Sequence, residues 1–285
     1  MLWFIAAIIA TLARTGTYTL NKNLLKNISP LTLATSTSLF VCILCSPVFL
    51  LSVSQNPVIT THNLAYLGVA AASFLNSFAF IILMKALKSG YMSIVVPLRN
   101  LVPVFVLVWG VIFLNEPVTV ALVLATFLIV IGVLLLHLGK GFHLLVKGKA
   151  SLLALVAAFL YSLALIIDKF VINYITPINY AFLLYMAMFV FLFIFSAFER
   201  NLADVGGFIR NSWKPVILLA VLAFTGSFFI FTSISLANVT TIAPVLRLEV
   251  LFSVIAGGMF FKERNILIKL LGAFLLFAGI ALIIA

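Results

Sequence analysis

Acidic residues are scarce in this chain: six Asp and Glu stand among 285 residues, against 17 Lys and Arg, and charged residues of both signs make up 8%. So little charge cannot cover the core of a soluble protein, and the 65% hydrophobic content lies well above the roughly half that soluble domains carry. Cysteine is nearly absent. Cys42 and Cys45 share one apolar run with no His or acid nearby, which excludes a disulfide scaffold and leaves their CxxC spacing without a metal or redox role. Gly-rich phosphate loops, metal-ligand clusters and nucleophile elbows are missing as well, so neither a cofactor nor a metal nor an enzymatic activity is expected. The net charge of +11 does not form a nucleic-acid footprint, because the basic residues fall singly or in small groups between apolar stretches. That distribution is a topology signal.

Apolar stretches long enough to cross a bilayer core, about 20 helical residues each, occur at 2–20, 31–53, 64–86, 91–114, 118–138, 151–172, 178–198, 214–236, 239–261 and 266–284. The expected fold is therefore all-α and integral to the membrane, with the lipid bilayer as its surroundings. Met1-Leu2-Trp3-Phe4 lacks a basic leader and reads as the start of the first span. A shift of about 147 positions lays Ser29-Pro30 on Thr176-Pro177, Asn21-Lys22 on Asp168-Lys169, Pro97 on Pro244, Glu116 on Glu263 and Gly132 on Gly279. Prolines, acids and glycines are too rare here for chance to repeat one offset so often. The chain is expected to divide into two five-helix repeats, 1–140 and 141–285. An odd number of spans per repeat inserts the second upside down, giving ten transmembrane helices in two inverted repeats around a central cavity.

Lys22, Lys26, Lys85, Lys88, Lys140, Lys147, Lys149, Arg200, Arg210, Lys214, Lys262 and Arg264 all fall in odd-numbered loops. The positive-inside rule then puts those loops in the cytoplasm and both termini outside a multi-pass cell-membrane protein.

At these residues the chain resembles the drug/metabolite transporter superfamily, specifically its EamA-type members with ten spans in two five-helix repeats. The resemblance rests on the ends of the fourth helices, Phe113-Leu114-Asn115-Glu116-Pro117 and Phe260-Phe261-Lys262-Glu263-Arg264, on Gly272 and Gly279 in the last helix, and on the connectors Met84–Lys88 and Ser235–Asn238. It implies that the fourth and ninth helices line the cavity. One departure is that family members usually carry cytoplasmic termini and basic residues between helices two and three, whereas Ser52–Asn63 has neither Lys nor Arg.

A charge in mid-bilayer costs several kcal/mol, so ionisable residues deep in spans are read first for function. With the loop cations set aside, Arg14, Arg99, Lys169, Arg247 and Lys269 remain, with Asp168 and Glu249 as the deep acids. Lys269 can snorkel, and Asp168 with Lys169 reads as a local interfacial pair. Arg99 and Arg247 lie beside prolines in Pro97–Pro103 and Pro244–Glu249, one residue out of strict repeat register. Guanidinium groups there are suited to clamp a carboxylate or phosphate. The substrate-binding candidates are Arg14, Arg99, Asn100, Arg247 and Glu249. Positions two apart on a helix do not face one another, so Glu249 is expected to need a partner other than Arg247, such as Arg14, Arg99 or Lys169. Glu249 is also the candidate for coupling, by binding an amino group or exchanging a proton. The function expected is a secondary transporter of a small anionic or zwitterionic metabolite, working by alternating access and driven by a proton or a counter-substrate. The competing reading is a non-transporting membrane component, a lipid-binding or assembly subunit, which predicts no solute flux.

Overall fold

The structure, a computed structural model, describes residues 1–25, 27–55, 63–89, 95, 98–136, 148–252 and 266–284, and among them every regular element is a helix. In chain order these are α1 (Leu2–Leu24), α2 (Pro30–Gln55), α3 (Asn63–Ser89), α4 (Val102–Leu114), α5 (Val120–Leu136), α6 (Lys149–Val171), α7 (Pro177–Phe198), α8 (Leu202–Leu236), α9 (Val239–Val245) and α10 (Ile266–Ile284). Five of them, α2, α3, α6, α7 and α8, are long and apolar enough to cross a membrane. The bounds repeat at the offset seen in the sequence: both ends of α1 and α6, the starts of α2 and α7, and the ends of α3 and α8 differ by 147. Their landmarks have local causes. Ser29 caps α2 by accepting the Thr32 N–H at 3.0 Å, and Pro30 and Pro177 open helices where a missing N–H costs nothing. Asn115 closes α4 in the left-handed region, at φ 51°, ahead of Pro117.

The chain forms two compact units, residues 1–77 with 167–236 and residues 78–166 with 237–285. Each draws on both chain halves. Within the first, α2 and α7 share a hydrogen bond between Thr35 Oγ1 and Ser196 Oγ at 2.9 Å and a stacked pair, Phe49 on Phe182, with centroids 4.2 Å apart. These two contacts are repeat images of one another, since Thr35 matches Phe182 and Phe49 matches Ser196 at an offset of 147. Within the second unit, α5 and α10 meet through glycine. A Cβ on Gly132 would lie 2.6 Å from the Gly272 carbonyl oxygen and 2.9 Å from Leu276 N. One on Gly279 would lie 2.7 Å from the Ala125 carbonyl oxygen and 2.6 Å from Ile129 Cγ1. Again the contacts are reciprocal at the same offset. In both helix pairs the index rises along one partner as it falls along the other, so each pair is antiparallel. Small residues let the backbones approach where lipid offers no hydrophobic drive to association.

The fourth and ninth apolar stretches, each expected as a single helix kinked by proline, are interrupted by turns. Residues 98 and 99 are helical, Asn100 and Leu101 form a turn, and α4 starts only at Val102. In the second half α9 ends at Val245, residues 246–247 turn, and helix resumes at 248–252. A proline stands beside each break. Pro103 has no N–H to give the Arg99 carbonyl, and Pro244 none for that of Thr240. The chain tightens to bonds three residues apart, Leu101 N to Leu98 O at 3.2 Å and Arg247 N to Pro244 O at 2.9 Å. Pro97 and Glu263 lie outside the described residues, as does Tyr91. The eighth stretch differs too: α8 starts at Leu202 and kinks at Ser212 (φ −135°, ψ 29°) before its apolar part.

Glu116 anchors the start of α9. Its buried carboxylate accepts the Val239 N–H through Oε1 at 2.9 Å, and the Thr240 N–H and hydroxyl through Oε2 at 2.9 and 2.7 Å. These are the donors a helix start leaves without partners, and a negative charge suits its dipole. Gly110 makes room, because a Cβ there would fall 2.3 Å from Thr240 Cγ2. Glu116→Ala strands three donors and is expected to lower stability by about 2–4 kcal/mol, with Glu116→Gln, which keeps one acceptor, losing roughly half as much. Gly132→Ala and Gly279→Ala push a methyl into backbone and should each cost about 1–3 kcal/mol. Gly206→Ala and Gly207→Ala, with nothing within 4 Å, should be neutral or stabilising by up to about 1 kcal/mol. Thermal unfolding of the purified protein in detergent checks all six.

Candidate functional site

The two helix breaks deliver the polar residues of the second unit to one place. Asn100 sits in the first break, and Arg247 and Glu249 stand at the end of the second and just beyond it; all three are buried. Arg247 donates from Nη1 to Asn100 Oδ1 at 3.1 Å, and the same nitrogen lies 3.4 Å from Glu249 Oε1. The expected obstacle to an Arg247–Glu249 contact is overturned here. Positions two apart diverge on a regular helix, but residues 246–247 are not helical, so the side chains converge. Arg99, half-buried, faces a different group: its Cζ lies 5.7 Å from the centroid of the Tyr161 ring, a cation–π geometry. Trp109 also packs on α6, donating from Nε1 to Ser162 Oγ at 3.2 Å and meeting Phe159 edge-on at 5.6 Å.

Of the five residues expected to bind substrate, the structure thus brings Asn100, Arg247 and Glu249 into direct contact and puts Arg99 beside Tyr161 in the same compact unit. Arg14 belongs to the other unit, on α1, where its Cγ would stand 3.2 Å from a Cβ placed on Gly226 of α8. Arg247 and Glu249 offset each other's charge, while Arg99 stands apart from them over Tyr161. Both sides of the Arg247–Glu249 pair are withdrawn from solvent, a setting in which removing one partner typically costs about 3–5 kcal/mol because the other is left as an uncompensated charge. Neither partner can be removed without leaving the other as a buried, uncompensated charge.

The strict repeat counterpart of Arg247 is Asn100, 147 residues earlier, and not Arg99. The sequence contains this relation in its offset, but proximity to Arg99 and the identity of the side chain conceal it. Glu116 was legible only as a landmark of the repeat; its carboxylate turns out to hold the short helix that leads to Arg247. Asp168 and Lys169 do not form the interfacial pair expected. Neighbours in a helix point apart, and Asp168 accepts a hydrogen bond from the Tyr180 hydroxyl while the Lys169 ammonium donates to the Ile234 carbonyl at 2.6 Å. Asn76 bonds within its own helix, to the Ala72 carbonyl. The side chains of Lys22 and Lys269 lie outside the described ones.

A solved crystal structure of a protein covers 98% of this chain and 95% of its own, with a TM-score of 0.71 at 12% identity, which shows a shared fold and nothing further. No curated protein sequence matches. The family model of the EamA-like transporter family matches twice, over residues 1–138 and again over 148–285. Two consecutive matches account for nearly the whole length, and with the long apolar helices they make this a multi-pass membrane protein that belongs to the EamA-like transporter family of the drug/metabolite transporter superfamily.

Proposed function

We propose that the protein is a secondary transporter that moves a small anionic or zwitterionic metabolite, such as an amino acid or an organic or phosphorylated acid, by alternating access between two inverted five-helix repeats, 1–140 and 141–285. The observation that carries this reading is the bond between Arg247 and Asn100 at two proline-broken helices. Transporters with inverted repeats use broken helices of this kind at their substrate sites, because irregular backbone is tolerated in a membrane only where it lines a cavity or is covered by protein. The reciprocal antiparallel contacts of α2 with α7 and of α5 with α10 support the inversion, since equivalent helices inserted oppositely must run antiparallel wherever they meet.

In this reading Glu249 holds the place of the substrate's anionic group. A carboxylate or phosphate entering the site takes Arg247 in a bidentate, charge-assisted contact, with Asn100 fixing the guanidinium plane and Arg99 supplying a second cation. Glu249 is thereby freed to bind the ammonium group of a zwitterion or to take up a proton, which is the coupling step assigned to it. The basic odd-numbered loops face the cytoplasm, and both termini lie outside.

In proteoliposomes supplied with a panel of amino acids, organic acids and phosphorylated metabolites, Arg247→Ala is expected to reduce uptake of the transported compound about 10- to 100-fold, the equivalent of one or two charged hydrogen bonds. Arg99→Ala and Arg14→Ala are measured beside it. Undiminished uptake in both Arg99→Ala and Arg247→Ala sinks the anion clamp, and flux of no compound at all favours a non-transporting component. Unchanged pH dependence of uptake in Glu249→Gln removes Glu249 from coupling. The same compound should raise the melting temperature of the wild type, by about 2.7 kcal/mol of stabilisation at a hundredfold excess over its Kd. For sidedness, an N-terminal tag is expected to be cleaved by protease added to intact cells; protection of that tag reverses the orientation.

A further inference from the structure

The first compact unit contains a buried acid that the substrate reading does not use. Asp168 lies on α6, one turn from its end, and is 5% exposed. Its side chain accepts a hydrogen bond from the hydroxyl of Tyr180 on α7 at 2.5 Å. Tyr180 is itself fully buried and packs on Phe231 of α8, with ring centroids 4.6 Å apart. Among the described residues no cation forms an ion pair with Asp168. On α6 the adjacent cation, Lys169, directs its ammonium to the Ile234 carbonyl of α8. From α7 the facing titratable group is Tyr180, and from α8 the residues involved are Phe231 and Ile234. α3 packs Gly68 against Ile167 and Val171 of α6. α1 reaches α8 through the Trp3 carbonyl, which accepts from Ser233 Oγ, and residues 2–13 of α1 hold no ionisable side chain.

We propose that Asp168 and Tyr180 form a proton-binding site, separate from the Arg247 cluster, at the junction of α6, α7 and α8. If the contact were only structural, an amide would make the same hydrogen bond without the cost of an ionised carboxyl in a dry helix bundle. The other half of the repeat lacks both members of the pair: 147 positions earlier Asp168 is matched by Asn21, and Tyr180 by Leu33. A phenol is the partner such a site needs, because its O–H donates to a carboxylate and its oxygen accepts from a carboxylic acid. The pair keeps its hydrogen bond in both states. A proton arriving from water binds the Asp168 carboxylate, the Tyr180 hydroxyl rotates to accept from the new O–H while keeping its own hydrogen, and release reverses both movements. One unit of charge appears or disappears between α6 and α7, which is how a proton gradient can act on their packing.

The test needs no knowledge of the substrate. Infrared difference spectra of the full chain in lipid nanodiscs, recorded during acid titration in a Glu249→Gln background, should contain a carboxylic C=O band that grows on acidification. That band should be lost in Asp168→Asn and shifted in frequency in Tyr180→Phe, the latter retaining the carboxyl should the former fail to fold. Sodium chloride added at fixed pH should leave it unchanged. A band that survives Asp168→Asn, or one that Tyr180→Phe does not move, overturns the proposal, and loss of the band on adding sodium reassigns the site to a metal cation. Because the readout is protonation alone, it stands or falls apart from the anion clamp, which uptake by the arginine variants decides.

Discussion

The hydrogen bond from Arg247 to Asn100 joins the chain to its own counterpart, since the two positions differ by the repeat offset of 147. The contact therefore puts the Arg247–Glu249 ion pair where the two sequence repeats meet within the second unit. Much else follows from having to keep a guanidinium there. A cation in apolar surroundings needs acceptors, and a regular helix has few to give along its sides because its backbone carbonyls already accept from the ladder. The proline breaks relieve that limit. They turn Asn100 inward on one helix and fold Glu249 back toward Arg247 on the other.

Breaking a helix inside a membrane has a cost of its own, because backbone groups lose partners that water cannot replace. The second half meets it from both ends of α9. At the far end the chain tightens through bonds three residues apart around Arg247. At the near end Glu116 supplies a carboxylate to the first two N–H groups and to the Thr240 hydroxyl. A seven-residue helix has too few internal bonds to persist alone, so its position is that of its anchor. Asn115, Glu116 and Pro117 thus act in sequence, as a left-handed stop, an external cap and a bar to further helix.

Much of this was legible in the chain. Composition forces a membrane protein, and the offset that pairs Ser29-Pro30 with Thr176-Pro177 and Gly132 with Gly279 foretells the repeat, because helix starts and close helix contacts tolerate few residue types. Hydropathy failed at the fourth and ninth stretches for a physical reason: leucine and valine on either side of a break keep the average high, and hydropathy cannot tell a continuous helix from two pieces. Periodicity failed for Glu249 for the same cause, since it presumes the helix that residues 246–247 interrupt. The partners of Asp168 and Lys169 lie on α7 and α8, beyond the reach of local spacing, and no pattern within α6 points to them.

The one-residue slip between Arg99 and Arg247 looks like imperfect repetition, yet electrostatics favours it. Were arginine present at position 100, the strict counterpart, two guanidinium groups would meet at the separation now spanned by one hydrogen bond. At about 4 Å and an effective dielectric near 20, two like charges repel by about 4 kcal/mol, and burial would add their desolvation. An amide at position 100 turns that repulsion into an accepted hydrogen bond, and moving the cation back one residue aims it at the face of Tyr161 instead. Tyr161 is in turn the repeat counterpart of Arg14, so here too a position that carries a cation in one half carries a neutral acceptor of cations in the other. Where equivalent residues of the repeat touch, as at positions 100 and 247, the charge of one copy is tolerated because the other copy is neutral.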